Sequence, residues 1–155
     1  MASIKKIINK LIKKNISISV AESCTGGLIA NTITKYSGVS KIFSSGIIAY
    51  SNKAKSKYLS VAETDLSKFG AVSKEVAEEM INGLYKNEKT QICISTTGIA
   101  GPNGGTKEKP VGLVFIGVKK GNKILVIKNL FGKKKRSIIQ NNTVKKCINL
   151  LIKII

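Results

Sequence analysis

The period of apolar positions changes repeatedly along the chain, and each change marks an element. From Ser3 to Lys14, Ile4, Ile7, Ile8, Leu11 and Ile12 recur at i, i+3, i+4, i+7 and i+8. That is the stripe of an amphipathic helix, with Ser3 placed as its N-cap. Ile16, Ile18 and Val20 then alternate with small polar residues, the period of a strand. The strand stops on Ala21-Glu22-Ser23-Cys24-Thr25-Gly26-Gly27, after which Leu28, Ile29, Thr32 and Ile33 return to helical spacing. A helix from about Thr25 to Tyr36 is expected, ended by Ser37-Gly38 with Gly38 as its C′ residue.

Ile42 to Tyr50 is a β-like run, in which Gly46 marks a bulge or a close backbone approach. Ser51-Asn52 caps a short helix holding Lys53, Lys55 and Lys57, and residues 60 to 72 read as connecting turns. Ser73 opens a helix with Val76, Ala77, Met80, Ile81 and Leu84 on one side. An apolar strand, Gln91 to Thr97, runs into Gly98-Ile99-Ala100-Gly101-Pro102-Asn103-Gly104-Gly105. Four glycines and a proline in eight residues exclude regular structure. Directly after a buried-looking strand, such a loop reads as a ligand clamp in preference to a mobile linker. Val111 to Val118 and Lys123 to Leu130 are strands joined by the hairpin signal Lys119-Lys120-Gly121-Asn122. A terminal amphipathic helix carries Ile138, Ile139, Val144, Cys147, Leu150, Leu151 and Ile154. Helices alternating with strands predict a layered α/β domain, and the closing hairpin makes its sheet mixed. A chain of 155 residues without internal repeats is expected to form one domain, 1–155.

Charge changes the picture less than its size suggests. The net charge is +19 and the pI about 10.0. The lysines are scattered through nearly every segment, and the single arginine is Arg136. Arginine is the usual specific reader of phosphates and bases, so a specific nucleic-acid partner is not expected. Non-specific adhesion to polyanions at low salt is expected. Residues 133 to 136, Lys-Lys-Lys-Arg, form a basic cluster, whereas five of the eight acids lie between 63 and 79 and read as a solvated face. No apolar run reaches the length of a membrane span, and the basic first helix reads as packed on a sheet. Met1 to Asn15 has no signal-peptide pattern. The three cysteines, Cys24, Cys93 and Cys147, are odd in number and lack C-x-x-C spacing. Reduced thiols and a cytoplasmic location are expected, with no zinc and no disulfide framework.

The candidate chemistry sits in the turn at Ser23. It carries a hydroxyl, a thiol and a second hydroxyl where a helix begins, a place rich in free N–H groups. Such a turn suits an anion, or a nucleophile whose product is an oxyanion; a plain N-cap is the structural alternative. It is not the G-x-S-x-G elbow, because Ala21 stands where the first glycine belongs. The chain has no histidine. Ser-His-Asp and Cys-His catalysis are therefore excluded, and a serine nucleophile would need another base.

Three stretches, in this order and spacing, carry a family resemblance. They are Ala21-Glu22-Ser23-Cys24-Thr25-Gly26-Gly27, then Tyr50-Ser51-Asn52-Lys53-Ala54-Lys55, then Thr97-Gly98-Ile99-Ala100-Gly101-Pro102 with Gly104-Gly105 and Lys109-Pro110-Val111-Gly112. Phe69-Gly70-Ala71-Val72-Ser73 matches as well. Over nearly the whole chain the sequence resembles the C-terminal domain of competence/damage-inducible protein CinA, in the stand-alone form known as nicotinamide-nucleotide amidohydrolase, PncC. The resemblance implies a three-layer α/β/α sandwich with a mixed central sheet. It also implies hydrolysis of the carboxamide of nicotinamide mononucleotide by a serine–lysine mechanism, without metal or cofactor. The partner would be this small nucleotide, and the first and last helices could supply a homo-oligomer surface.

Carried over by position, the resemblance makes Ser23 the nucleophile and Lys55 its base, with Tyr50 relaying a proton or orienting the amide. Thr25, Gly26 and Gly27 after the nucleophile, Ser45, and the run Thr97, Gly98, Ala100 and Gly101 would hold the substrate. Arg136 or Lys135 would hold its phosphate. Glu22 would position Lys55 or bind ribose, and Cys24 would be a packing neighbour. Lysine is a base only when neutral, so the site must lower its pKa from about 10.4 by burial or nearby cations. One departure from the family stands out. An acid followed by arginine is usual after the glycine matching Gly132, whereas here Gly132 leads into Lys133-Lys134-Lys135-Arg136. A nucleotide-binding module of the same fold without catalysis is the alternative, and a nucleic-acid binder a third class.

Overall fold

The strand before the Ser23 turn, β1 (Ile18–Glu22), is buried at every position. Continuous burial means that both faces of the sheet are covered at this strand. The computed structural model describes residues 4–155. In it β1 pairs in parallel with β2 (Phe43–Ile48) and with β3 (Ile92–Gly98). Antiparallel β4 (Leu113–Lys120) and β5 (Lys123–Leu130) complete a five-stranded mixed sheet of order β2-β1-β3-β4-β5. The register of the last pair runs to Lys120 opposite Lys123, leaving Gly121-Asn122 as the hairpin turn foreseen from the sequence.

Helices cover both faces. One core cluster joins the sheet to α1 (Ile4–Lys13), α2 (Leu28–Thr34) and α6 (Arg136–Ile154), through Ile7, Ile8, Leu11, Ile29, Ile33, Ile139, Cys147 and Leu151. The other joins it to α3 (Asn52–Leu59), α4 (Glu63–Phe69) and α5 (Lys74–Glu88), through Leu59, Leu66, Val76, Met80, Ile81 and Leu84. The expected three-layer α/β/α sandwich is the fold observed. No helix of the described residues is long and apolar enough to cross a membrane. All three cysteines are buried and free. The N-cap assigned to Ser3 lies outside the described residues.

Several boundaries differ from those the sequence suggests, each for a local reason. α2 begins at Leu28, not Thr25, because Gly26 and Gly27 take left-handed φ values of 57° and 95° and hold the chain in a turn. It ends at Thr34, and Gly38 instead opens a short 3-10 turn over Val39–Lys41. Residues 60 to 72 are not only turns, since α4 lies there. Leu66 is its one buried side chain, and a single apolar position makes no period. Glu79 is not part of a solvated face. Its carboxylate accepts the Ala62 N–H at 2.7 Å at the entrance to α4. Burial and a hydrogen bond shared with Asp65 push its pKa up. Both meanings of Gly46 hold, for the β1–β2 register shifts between Ile18 and Val20, and a Cβ at 46 would stand 3.1 Å from the Ala30 Cβ.

The docking of α3 depends on Gly83. Any Cβ at that position of α5 would overlap the main chain of Leu59, the last residue of α3. Gly83→Ala is expected to destabilise the protein by about 2–3 kcal/mol, seen as a thermal midpoint lower by roughly 5–10 °C. An unchanged midpoint would show that α3 can shift freely.

Candidate active site

The site forms where β1 and β3 end side by side. The Ser23 N–H donates to Thr96 O at 3.0 Å, extending the β1–β3 pairing by one residue before the chain turns. Gly26 N–H then donates to Ser23 O and Leu28 N–H to Thr25 O, which closes the turn. Among the described residues no carbonyl accepts the N–H of Cys24 or of Thr25.

Glu22 is spent on this turn. Its buried carboxylate accepts the N–H of Gly27 and of Ile29 at 3.1 Å each and that of Ala30 at 2.8 Å. It therefore caps α2 from the preceding strand, a charge-assisted arrangement at the positive end of a helix. This corrects two expectations. Glu22 makes no hydrogen bond to Lys55, and the start of α2 is occupied by the protein's own acid instead of being open to a ligand anion.

Lys55 arrives from the other side. The Ser51 hydroxyl accepts the Ala54 N–H at 3.0 Å and caps α3, so Lys55 stands one turn into that helix facing the sheet. It is the largest fully buried side chain, only 1% exposed. Its Nζ lies 3.0 Å from Ser23 Oγ, 3.1 Å from Ala49 O and 3.2 Å from Tyr50 O. Carbonyl oxygens can only accept, whereas a hydroxyl can donate or accept. In the neutral amine the two N–H bonds go to Ala49 and Tyr50, and the lone pair is left for the Ser23 hydroxyl. Burial lowers the pKa of Lys55 from its ordinary 10.5, the shift that a lysine base requires.

Cys24 fits the role of packing neighbour. Burial pushes its thiol up to about 12, so almost no thiolate exists near neutral pH. Iodoacetamide at pH 7.5 is expected to leave Cys24 of the native protein unmodified by mass spectrometry. Rapid labelling there would contradict this burial.

The remaining residues divide into those the fold brings to the site and those it does not. Thr25 Oγ1 lies 2.8 Å from Thr96 Oγ1, both buried, and braces the turn against β3. The Thr97 hydroxyl donates to Ala71 O at 2.7 Å, so it ties β3 to the entry of α5. Gly98 closes β3, where a Cβ would meet the Leu113 carbonyl and Val114. Ala100 is buried in the first core cluster, and the Gly101 carbonyl accepts from Arg136 Nη1 at 2.9 Å. Arg136 Nη2 donates to the Tyr50 hydroxyl at 2.6 Å. The phenol, on a side chain 57% exposed, thus has Arg136 as its hydrogen-bond partner among the described residues. Tyr50 meets the amine through its main-chain carbonyl, and among the described residues its hydroxyl makes no hydrogen bond to Ser23 or Lys55, as a direct proton relay would need.

Ser45 is not at the site. It lies in the bulged part of β2, just before Gly46, which pairs with Val20. That is level with Ser19, four residues or about 13 Å along the strand from Ser23. Two contributors escaped the sequence reading. Thr96 is visible only once β1 and β3 are in register, and Gln140 of α6 donates to Cys24 O at 2.9 Å from 116 residues away. A groove of about 620 Å³ lies along the glycine-rich loop, lined by Pro102 to Thr106, Pro110, Val111, Leu130, Gly132 and Lys133. Ser23 and Lys55 are not among its walls.

A mixed α/β sandwich thus brings Ser23, just past the C-terminal end of parallel strand β1, against the buried Lys55 of α3. The CinA C-terminal domain model matches residues 2–155, and the chain belongs to that family. A CinA-like protein of Kosmotoga olearia is 56% identical over 126 residues, which are 81% of this chain and 31% of that protein. The chain thus spans about a third of the length of that relative. Among solved structures, competence/damage inducible protein CihA from Agrobacterium tumefaciens superposes with a TM-score of 0.92 at 36% identity, covering 99% of this chain and 96% of that one. A CinA superfamily protein from Escherichia coli gives 0.91 at 26% identity, covering 99% and 91%.

Proposed function

We propose that the protein hydrolyses the carboxamide of nicotinamide mononucleotide to nicotinate mononucleotide and ammonia, with Ser23 as nucleophile and Lys55 as base. The observation that carries this is the contact of Lys55 Nζ with Ser23 Oγ at 3.0 Å, within a buried pocket of carbonyls that leaves the amine one reversible partner. The family resemblance supplies the substrate.

In this mechanism neutral Lys55 takes the hydroxyl proton as Ser23 Oγ adds to the carboxamide carbon. Charge develops on the amide oxygen, and the N–H groups of Cys24 and Thr25 are the donors at hand for it. The resulting ammonium returns its proton to the departing nitrogen, which leaves as ammonia. A water then adds to the Ser23 ester and gives a proton to Lys55, which returns it to Ser23 Oγ as the ester C–O bond breaks; the nicotinate acid is released, ionises in solvent, and leaves the serine hydroxyl and neutral amine restored. Nothing in the sequence of steps needs a metal. The α2 N-terminus is taken by Glu22, so the substrate phosphate falls to the basic start of α6, where Arg136 and Lys133 to Lys135 gather. Arg136 already holds Gly101 and Tyr50, and reaches the phosphate as a shared donor.

The decisive experiment measures ammonia release by the purified protein from nicotinamide mononucleotide and from free nicotinamide in parallel. Release from the mononucleotide is expected, with little from the free base, which lacks the phosphate. Absence of turnover with both, together with binding of the mononucleotide, would favour a non-catalytic nucleotide-binding module.

A further inference from the structure

The glycine-rich loop is closed at its neck. Ile99 N–H donates to Leu113 O and Gly112 N–H to Ile99 O, each at 2.8 Å. Beyond the neck, residues 102–108 are exposed. Within that stretch, the hydrogen bonds among the described residues stay inside the loop. They are Thr106 N–H to Lys109 O at 2.9 Å and Lys109 N–H to Thr106 Oγ1 at 3.0 Å. Two side chains tie this loop to the body. Arg136 holds its first limb at the Gly101 carbonyl. The ammonium of Lys109 holds its second limb, donating to the carbonyl of Phe69.

The seat of that ammonium is specific. Phe69 is the last residue of α4, so its carbonyl has no partner within the helix and carries part of the negative end of the dipole. The next residue, Gly70, has no side chain, and a Cβ there would stand 3.0 Å from Lys109 Nζ. One residue further, the Ala71 carbonyl is taken by Thr97. The α4–α5 junction is therefore gripped by residues on both sides of the loop, Thr97 before it and Lys109 after it.

We propose that Lys109 is a positioning residue, whose ammonium latches the glycine-rich loop to the end of α4 and so fixes one wall of the substrate site. A lysine suits a latch. Its partner is a neutral carbonyl, its stem is flexible, and no carboxylate locks it in place. The link to substrate affinity rests on the amidohydrolase reading above; the latch itself does not.

The test compares the whole chain with Lys109→Met and Lys109→Arg. Amide hydrogen exchange at positions 106, 109 and 112, without ligand, is expected to quicken roughly tenfold in Lys109→Met, as for loss of one charge-assisted hydrogen bond. Lys109→Arg, which keeps a donor, is expected to restore most of the protection. The global unfolding midpoint should stay within a few degrees. For nicotinamide mononucleotide, KM should rise roughly tenfold while kcat changes less than about twofold, because wall placement affects binding and not the Ser23–Lys55 pair. Unchanged exchange in Lys109→Met overturns the latch whatever the activity. Faster exchange with unchanged KM overturns its role as a substrate wall. Wild-type protein without turnover would overturn the reaction instead, and the exchange comparison would still decide the latch.

Discussion

Ser23→Ala is expected to lower ammonia release from nicotinamide mononucleotide by at least about four orders of magnitude, with the fold intact. Removing one oxygen deletes the attacking atom, while Lys55 keeps its carbonyl partners at Ala49 and Tyr50. The turn also survives, because it is held by Glu22, by the Ser23 N–H and by Thr25, none of which involves the hydroxyl. Circular dichroism and thermal midpoint should therefore match the parent, and the mononucleotide should still bind. Full turnover in this variant would remove Ser23 from the chemistry and turn attention to water activated by Lys55.

Lys55→Met is expected to reduce kcat by a comparable factor, and its stability should reveal the buried amine. In the folded protein the pKa of Lys55 lies below the ordinary 10.5, because burial disfavours the charge. Between the folded and unfolded pKa values the unfolded chain binds more protons, so the term from this residue raises stability as pH increases. Below the folded value the full penalty of the buried ammonium applies. Methionine carries no such penalty. Denaturant titrations should show Lys55→Met holding its largest advantage over the parent at low pH, with that advantage shrinking as pH rises toward 10.5. The same titration predicts that kcat/KM of the parent rises with pH, along a limb whose midpoint lies below 10.5. A pH-independent stability difference would mean that the amine is not desolvated in the fold.

Much of this architecture was legible because the chain keeps simple periods. The stripes of α1, α5 and α6 and the turn signal between the two hairpin strands placed those elements within a few residues. α4 was invisible because it buries one side chain against a helix and not a face against the sheet. The site was legible to a different degree. The strand–turn–helix at Ser23 marked that turn as a candidate for chemistry, but Lys55 is one lysine among many, and only the motif order singled it out. What makes it special is burial, which depends on Gly83 letting α3 settle against α5, far away in sequence. Tyr50 was legible only in part. Its motif position is right, yet the direction of its phenol is decided by Arg136, 86 residues later. Glu22 looked like a partner for the base, and its true partners became visible only once the glycines had bent the chain back over the carboxylate.

That folding-back of Glu22 has an electrostatic consequence for the buried amine nearby. A carboxylate left loose beside an amine would draw a proton onto it and silence it. Here the anion is matched by the main-chain N–H groups of Gly27, Ile29 and Ala30 and makes no hydrogen bond to Lys55, so burial remains the first influence on that amine.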